Sequence, residues 1–435
     1  MGLLQLQTKR GISLDVPQDE VIKAIGACQW WLKGKWLKDK KKKHPIQKLF
    51  QSSDWSSDVE LFLIGSSILE LRKHGTDKKA FLDKRKEFLG EQRGNQVGYL
   101  FELLTALLFS MGGNKVELLP ASAAGYDLDV KTPDDISIQV SCKVCQPSNE
   151  YSKIITYAEQ ERDKFFAAYK KLGVHGVNCV IERVKSNGSS TTPFLQYHQY
   201  KSMIGKSLFQ PYMVQSENRE MMGIFSKSPL PSNAFSFSRK YPSYSFVLSS
   251  PINTEHELKR LHSQIDKANK GFKKVSDNKK LNLTVIRLPH YLSVKMAKGK
   301  IEKEFNKGRF TNTSAVIGIQ THIVGDENGE SVKINTAFQM IINPSAIVPW
   351  PIGKGALKMV QPLGSITTET PAFQIAGQKI NNECYVYSDM NESIVVPPGT
   401  SIGSSNIPGL NQIFEYKGMD LAINAFKIPS EFKFL

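Results

Sequence analysis

The sequence predicts a mixed α/β protein, and three features predict it. Segments with helical spacing alternate with short apolar strands, and one stretch reads helix, three strands, helix, strand. A length of 435 residues is too great for one compact core. A hydrophobic share of 40% and a charged share of 23% fit a folded chain and exclude a wholly disordered or collagen-like one.

Residues 1–93 read as a helical, basic N-terminal region. The first helix is expected over 17–38, with Asp15 as cap, Pro17 in its first turn, and Asp19 and Glu20 complementing the dipole. Its far end sets Trp30, Trp31 and Trp36 among Lys33, Lys35 and Lys38, followed by Lys40, Lys41, Lys42 and Lys43. Aromatics among lysines can stack on bases while the lysines meet phosphates, but core tryptophans beside solvated lysines give the same pattern. Two more helices are expected over 56–73 and 78–90.

Residues 94–184 carry the clearest pattern. GNQVGYLFELLTALLFSMGG is a helix with Leu100, Leu103, Leu104, Leu107 and Leu108 on one stripe, closed by Gly112 and Gly113. KVELLP and GYDLDV read as two short strands. DISIQVSCKV alternates strictly, with Ile136, Ile138, Val140 and Cys142 on one face and Ser137, Gln139, Ser141 and Lys143 on the other. A helix over 155–172 and a strand, VNCVIERV (177–184), complete the block. Residues 185–243, rich in Ser, Pro, Tyr and Phe, read as linker or irregular loops. Residues 244–435 read as a second α/β, β-rich domain. Its expected elements are SFVLSS, a helix over 254–274, LTVIRL, a helix over 293–307, and a hairpin of SAVIGIQTHIVG and KINTAFQMIIN across DENGE.

The 94–184 block also carries the chemistry. Asp127 and Asp129 are two apart, so both carboxylates leave one strand face. Gln139, Ser141 and Lys143 do the same on the next strand, and Glu102 lies on the helix before them. Metal-dependent cleavage of a phosphodiester needs oxygen ligands for a divalent cation and a lysine to position the attacking water. Asp127, followed fourteen residues on by Ser141-Cys142-Lys143, with Glu102 on the preceding helix, resembles the PD-(D/E)xK nuclease superfamily of restriction-type endonucleases. The resemblance covers about a fifth of the chain, and the predicted helix, three strands, helix, strand order matches that superfamily's core. It implies a metal-binding Asp127, a catalytic Lys143 and an accessory acid in Glu102, with Asp129 or Gln139 as further ligand and Mg²⁺ or Mn²⁺ as cofactor. The chain departs from the pattern at Ser141, where an acid two residues before the Lys is expected.

The charge has a location. The net +16 divides as +7 over residues 1–100, −1 over 101–200, +12 over 201–300 and −2 over 301–435. Two basic blocks thus flank the near-neutral block that bears the carboxylates, which predicts a polyanionic partner. The helix over 261–274 partly aligns Lys267, Lys270, Lys273 and Lys274, so these and Lys40–Lys43 are candidate phosphate contacts.

Other chemistry is not indicated. Cys142 and Cys145 form a CxxC without a second pair, the eight His show no HExxH or HxH spacing, and no GxxxxGK[ST] or GxGxxG phosphate loop occurs. Five Cys point to a reducing compartment, and no apolar run is long enough for a membrane span or signal peptide, so a cytoplasmic protein is expected. Three expectations follow. The first is a metal-dependent endonuclease acting on DNA, its restriction or phage-defence role implied by the resemblance alone. The second is a catalytically degenerate nuclease fold that binds DNA or assembles with partners. The third is a nuclease directed at RNA. A homodimer or partner defence proteins could complete the assembly.

Overall fold

The fold is given by a computed structural model. It describes residues 18–39, 44, 46–47, 50, 55–73, 78–89, 96–119, 125–146, 148–174, 177–183, 193–210, 212–216, 219–227, 246–251, 254–274, 280–289, 292, 294–325, 332–351, 357–360, 365–367, 383–389 and 392–396. Asp15, Pro17, Lys40, Lys41, Lys42, Lys43 and the DENGE turn lie outside the described residues.

The N-terminal helices form because their apolar residues recur at helical spacing. In α1 (Gln18–Leu32), Val21, Ala24, Ile25, Cys28, Trp31 and Leu32 are buried. The expected single helix over 17–38 breaks at Lys33, whose φ of 60° ends α1 before the short α2 (Gly34–Leu37). Helix α3 (Trp55–Lys73) crosses α1 closely at Gly65, where any side chain would collide with the Ala24 carbonyl. Helix α4 (Lys78–Leu89) places Phe81 and Phe88 on Trp31. Trp31 is therefore core, and Arg72 stacks over the exposed Trp30. Helix α5 (Gln96–Met111) is buried nearly all round, which its run Leu100–Phe109 requires, because α3 lies on one side and a sheet on the other.

That sheet has seven strands in the order β1-β2-β3-β8-β9-β10-β11. Strands β1 (Lys115–Leu118), β2 (Leu128–Lys131) and β3 (Ser137–Val144) form an antiparallel meander. Strand β8 (Leu281–Arg287) then pairs parallel to β3, and β9 (Ala315–Gly325) parallel to β8. Strands β9 and β10 (Val332–Ile342) pair antiparallel as expected, and β11 (Ser365–Thr367) runs parallel to β10. Helix α5 packs against β1 and β3, while α8 (Thr254–Lys274) and α9 (Val294–Phe305) pack against β3, β8, β9 and β10. Two separate apolar clusters result, one containing Ile138, Val140 and Cys142 with α5, the other containing Leu261, Ile265 and Ile286.

Between β3 and α8 the chain leaves this sheet and builds another. The segment contains α6 (Asn149–Leu172), β4 (Val177–Arg183), α7 (Tyr197–Ser207), β5 (Tyr212–Gln215), β6 (Met221–Lys227) and β7 (Phe246–Pro251). With β12 (Glu383–Asp389) and β13 (Glu392–Val396) it forms a six-stranded sheet in the order β13-β12-β7-β4-β6-β5. The expected organisation changes accordingly. The expected strand over 177–184 supplies β4 (Val177–Arg183) of this second sheet, and the strand beside β3 in the first sheet is β8, entered through α8 rather than through α6. The stretch 185–243, expected as linker, contains α7 and the antiparallel pair β5–β6. The 244–435 region is divided between the two sheets instead of forming a domain of its own. A parallel pair needs a crossover connection but sets no upper limit on its length, so a whole sheet can sit inside one. Among the described residues, no helix is long and apolar enough to cross a membrane.

Candidate active site

The pairing of β2 with β3 decides which side chains meet. Leu128 lies opposite Val140 and Asp129 opposite Gln139, so the same antiparallel pairing sets Asp127, just before the strand, across from Ser141. Leu128, Val130, Ile138, Val140 and Cys142 go to the apolar cluster beneath α5, leaving the polar set for the other face.

Asp127 is the centre of the arrangement. One carboxylate oxygen, Oδ2, accepts from the Cys142 backbone N–H at 2.7 Å and from the Ser141 hydroxyl at 3.3 Å. Lys143 Nζ lies 3.6 Å from the same oxygen and donates to the Cys142 carbonyl at 3.2 Å. About a quarter of each of the Asp127 and Lys143 side chains is exposed, so the pair is open to a ligand. Ser141 and Gln139 are buried in the sheet. Ser141 thus stands where an acid was expected and acts as a hydrogen-bond donor to the acid that is present.

The other two carboxylates have lysines of their own. Asp129 accepts from the Tyr126 hydroxyl at 3.2 Å and lies 3.6 Å from Lys280 at the start of β8. Glu102 pairs at 2.6 Å with Lys84 of α4, and less than a tenth of either side chain is exposed. Burial, and then the neighbouring Asp127 charge, push the Glu102 carboxyl up to about 7, with Lys84 and Lys143 opposing them. Asp127, Ser141 and Lys143 are therefore brought together, Glu102 is within their electrostatic reach, and Asp129 faces Lys280. Among the described residues, no group of three or more His, Cys, Asp or Glu is gathered to hold a metal ion. The oxygen donors that suit a hard cation are the Asp127 carboxylate and the Cys142 carbonyl, and the Lys143 ammonium now sits within reach of both.

Lys84 was not anticipated. It lies in the lysine-rich run KKAFLDKRKEFL, which reads as a solvated helix, yet it falls three residues after Phe81 and four before Phe88. A lysine on the buried stripe of a helix is the signal that would have singled it out. The CxxC pair divides between the two faces of the sheet, with Cys142 in the cluster under α5 and Cys145 in the cluster with α8. Burial, reinforced by Asp127 and Glu102, pushes the Cys142 thiol up, and burial pushes Cys145 up to about 12, so neither offers a ready thiolate.

The candidate phosphate contacts also have a place. Lys267, Lys270, Lys273 and Lys274 are all exposed on α8. The last turn of α8 lies against the loop before β2, because Gly271 sits so close to the Gly125 carbonyl that any side chain there would collide with it. Gly125 is two residues before Asp127, so this contact brings the basic end of α8 to the edge of the site. Lys270 is held at 2.6 Å by Asp266, one turn earlier.

Compared with protein-family models, with curated proteins and with solved structures, the chain matches none.

Proposed function

We propose that the chain is a metal-dependent nuclease that hydrolyses phosphodiester bonds in DNA, of restriction or phage-defence type. The observation that carries this reading is the β2–β3 pairing, which sets Asp127, Ser141 and Lys143 at one partly open strand end beside the basic terminus of α8. The Lys143 side chain, beside Asp127, would orient the attacking water and stabilise the charge growing on the phosphate. Glu102, with its carboxyl near 7, can exchange a proton with that water at neutral pH. A divalent cation, held by Asp127 and the Cys142 carbonyl, would supply Lewis-acid polarisation of the phosphoryl oxygen. Lys84 holds Glu102 in place from behind. The lysines of α8 would grip the backbone, so affinity would fall steeply with salt. Four of the cysteines are free and buried, in keeping with a cytoplasmic location.

The test is incubation of plasmid DNA with the full chain and Mg²⁺ or Mn²⁺, beside Lys143→Ala. Metal-dependent nicking by the wild type and not by the variant is expected. Intact plasmid under every metal would end the cleavage reading.

A second reading, DNA binding without cleavage, is favoured by one observation: each of the three expected metal carboxylates is already paired with a separate lysine. It expects salt-sensitive binding that survives Lys143→Ala, with no cleavage by either protein.

A further inference from the structure

The end of α9 carries a charged cluster that the candidate active site does not use. Glu304 is buried, 3% exposed, and faces Arg309 at 2.6 Å, Lys307 at 3.3 Å and Lys300 at 3.5 Å. His262 of α8 adds an imidazole at 3.5 Å, its ring resting 4.9 Å from that of Phe310. One buried carboxylate needs one counter-charge, yet three basic side chains converge on it. Two positive charges remain, on side chains that stay open: Lys300 is 29%, Lys307 47% and Arg309 54% exposed. Burial alone would lift the Glu304 carboxyl, but the hydrogen bond from Lys307 and the charges of Arg309, Lys307 and Lys300 hold it below the usual range. It therefore stays ionised at neutral pH and keeps the cations in a fixed array.

The cluster lies at the same end of the seven-stranded sheet as Asp129. The turn after α9 is tied to α8 through Asn269, which accepts from the Asn312 N–H at 2.9 Å. It is tied to β8 through Asn282, whose side chain donates to the Asn312 carbonyl at 2.8 Å. Lys280, two residues before Asn282, reaches Asp129. Helix α8 joins the two places, since His262 meets Glu304, and Gly271, nine residues on and roughly 14 Å along the helix at 1.5 Å per residue, meets the loop before Asp127.

We propose that Lys300, Lys307 and Arg309 form a phosphate-binding subsite for the backbone of duplex DNA away from the cut bond, with Glu304 as its positioning residue. The inference rests on the nucleic-acid reading above. An arginine fork flanked by two ammonium groups suits phosphate oxygens, and two unspent positive charges match two successive phosphodiesters. Glu304 touches no ligand; it arrays the groups that do.

The test is fluorescence-anisotropy titration of the full chain with a labelled duplex of about two helical turns, at several salt concentrations. Lys307→Ala with Arg309→Ala is expected to weaken binding at least tenfold and to reduce the salt slope by about two. Lys307→Ala alone, at an exposed position, should reduce the slope by about one and leave the melting temperature nearly unchanged. Glu304→Gln should weaken binding although every cation is retained. Wild-type affinity and slope in both lysine variants would overturn the subsite while leaving the nucleic-acid reading standing. A wild-type protein that binds no duplex at any salt concentration would overturn both.

Discussion

The two sheets each bury a glutamate, and they treat it differently. In the six-stranded sheet, Glu161 is 1% exposed and accepts from the Tyr200 hydroxyl at 2.8 Å and Lys164 at 2.7 Å, among the rings of Phe165, Tyr200 and Phe225. Its partners surround it, and burial holds the Tyr200 phenol neutral. Against the seven-stranded sheet, Glu102 of α5 pairs with Lys84 and feels the charge of Asp127 nearby. The first arrangement spends a buried charge on tying α6 to α7. The second keeps acids close enough to repel one another, at a strand end that a ligand can reach. Mutual repulsion between a buried acid and a partly exposed one does nothing for stability, and it suits a site that receives a cation or a proton.

The contrast can be broken in order of expected effect. Lys143→Ala should lower single-turnover cleavage by about 10²–10⁴-fold while duplex binding persists; unchanged cleavage would remove Lys143 from the chemistry. Glu161→Ala should destabilise the fold by about 2–4 kcal/mol in denaturant unfolding, because Tyr200 and Lys164 lose a buried partner, with cleavage per folded molecule unaltered. Gly271→Ala should cost about 1–3 kcal/mol and lower cleavage as well, since the added methyl pushes α8 off the loop that leads to Asp127.

A pH titration of stability reads Glu102 directly. The Glu102 carboxyl is raised from an ordinary 4.5 to about 7, so the folded state holds its proton more tightly than the unfolded one. Stability should therefore decline as pH rises from about 4.5 through about 7 and then level off. Glu102→Gln should abolish this decline. Lys84→Met should extend it to higher pH, because the carboxylate then loses its cation. A wild-type profile flat across that window would show that Lys84 fully compensates the burial of Glu102. The smallest effects belong to Lys267, Lys270, Lys273 and Lys274, each of which on conversion to Ala should reduce the salt slope of DNA binding by about one.

What was legible in the sequence was local. The stripe of α5, the alternation of β3, the whole of α8 and the β9–β10 pair follow from period and turn chemistry, which neighbouring residues specify. Asp127, Ser141 and Lys143 are set together by the sequence because antiparallel neighbours joined by a short turn have few ways to pair. The partner of β3 on its other side was not legible, because β4 and β8 are both short apolar strands preceded by an amphipathic helix. Nothing local distinguishes them, and the sheet chooses the one 137 positions further on. Lys84 was missed for a related reason: a lysine among lysines looks solvated until α4 is seen packed against Trp31 and α5.

The placing of one sheet inside the other has a consequence for synthesis. Strand β3 ends at Val144 and β8 begins at Leu281, so a nascent chain carries Ser141 and Lys143 on an unfinished edge until the intervening sheet has emerged. At about 5–20 residues per second that interval lasts roughly seven to thirty seconds. The second sheet waits longer still, because β12 and β13 come from the far end of the chain. Asp127, Ser141 and Lys143 are thus made early, whereas Lys280 and the exposed lysines of α8 reach their side of the sheet only after the intervening strands have been synthesised.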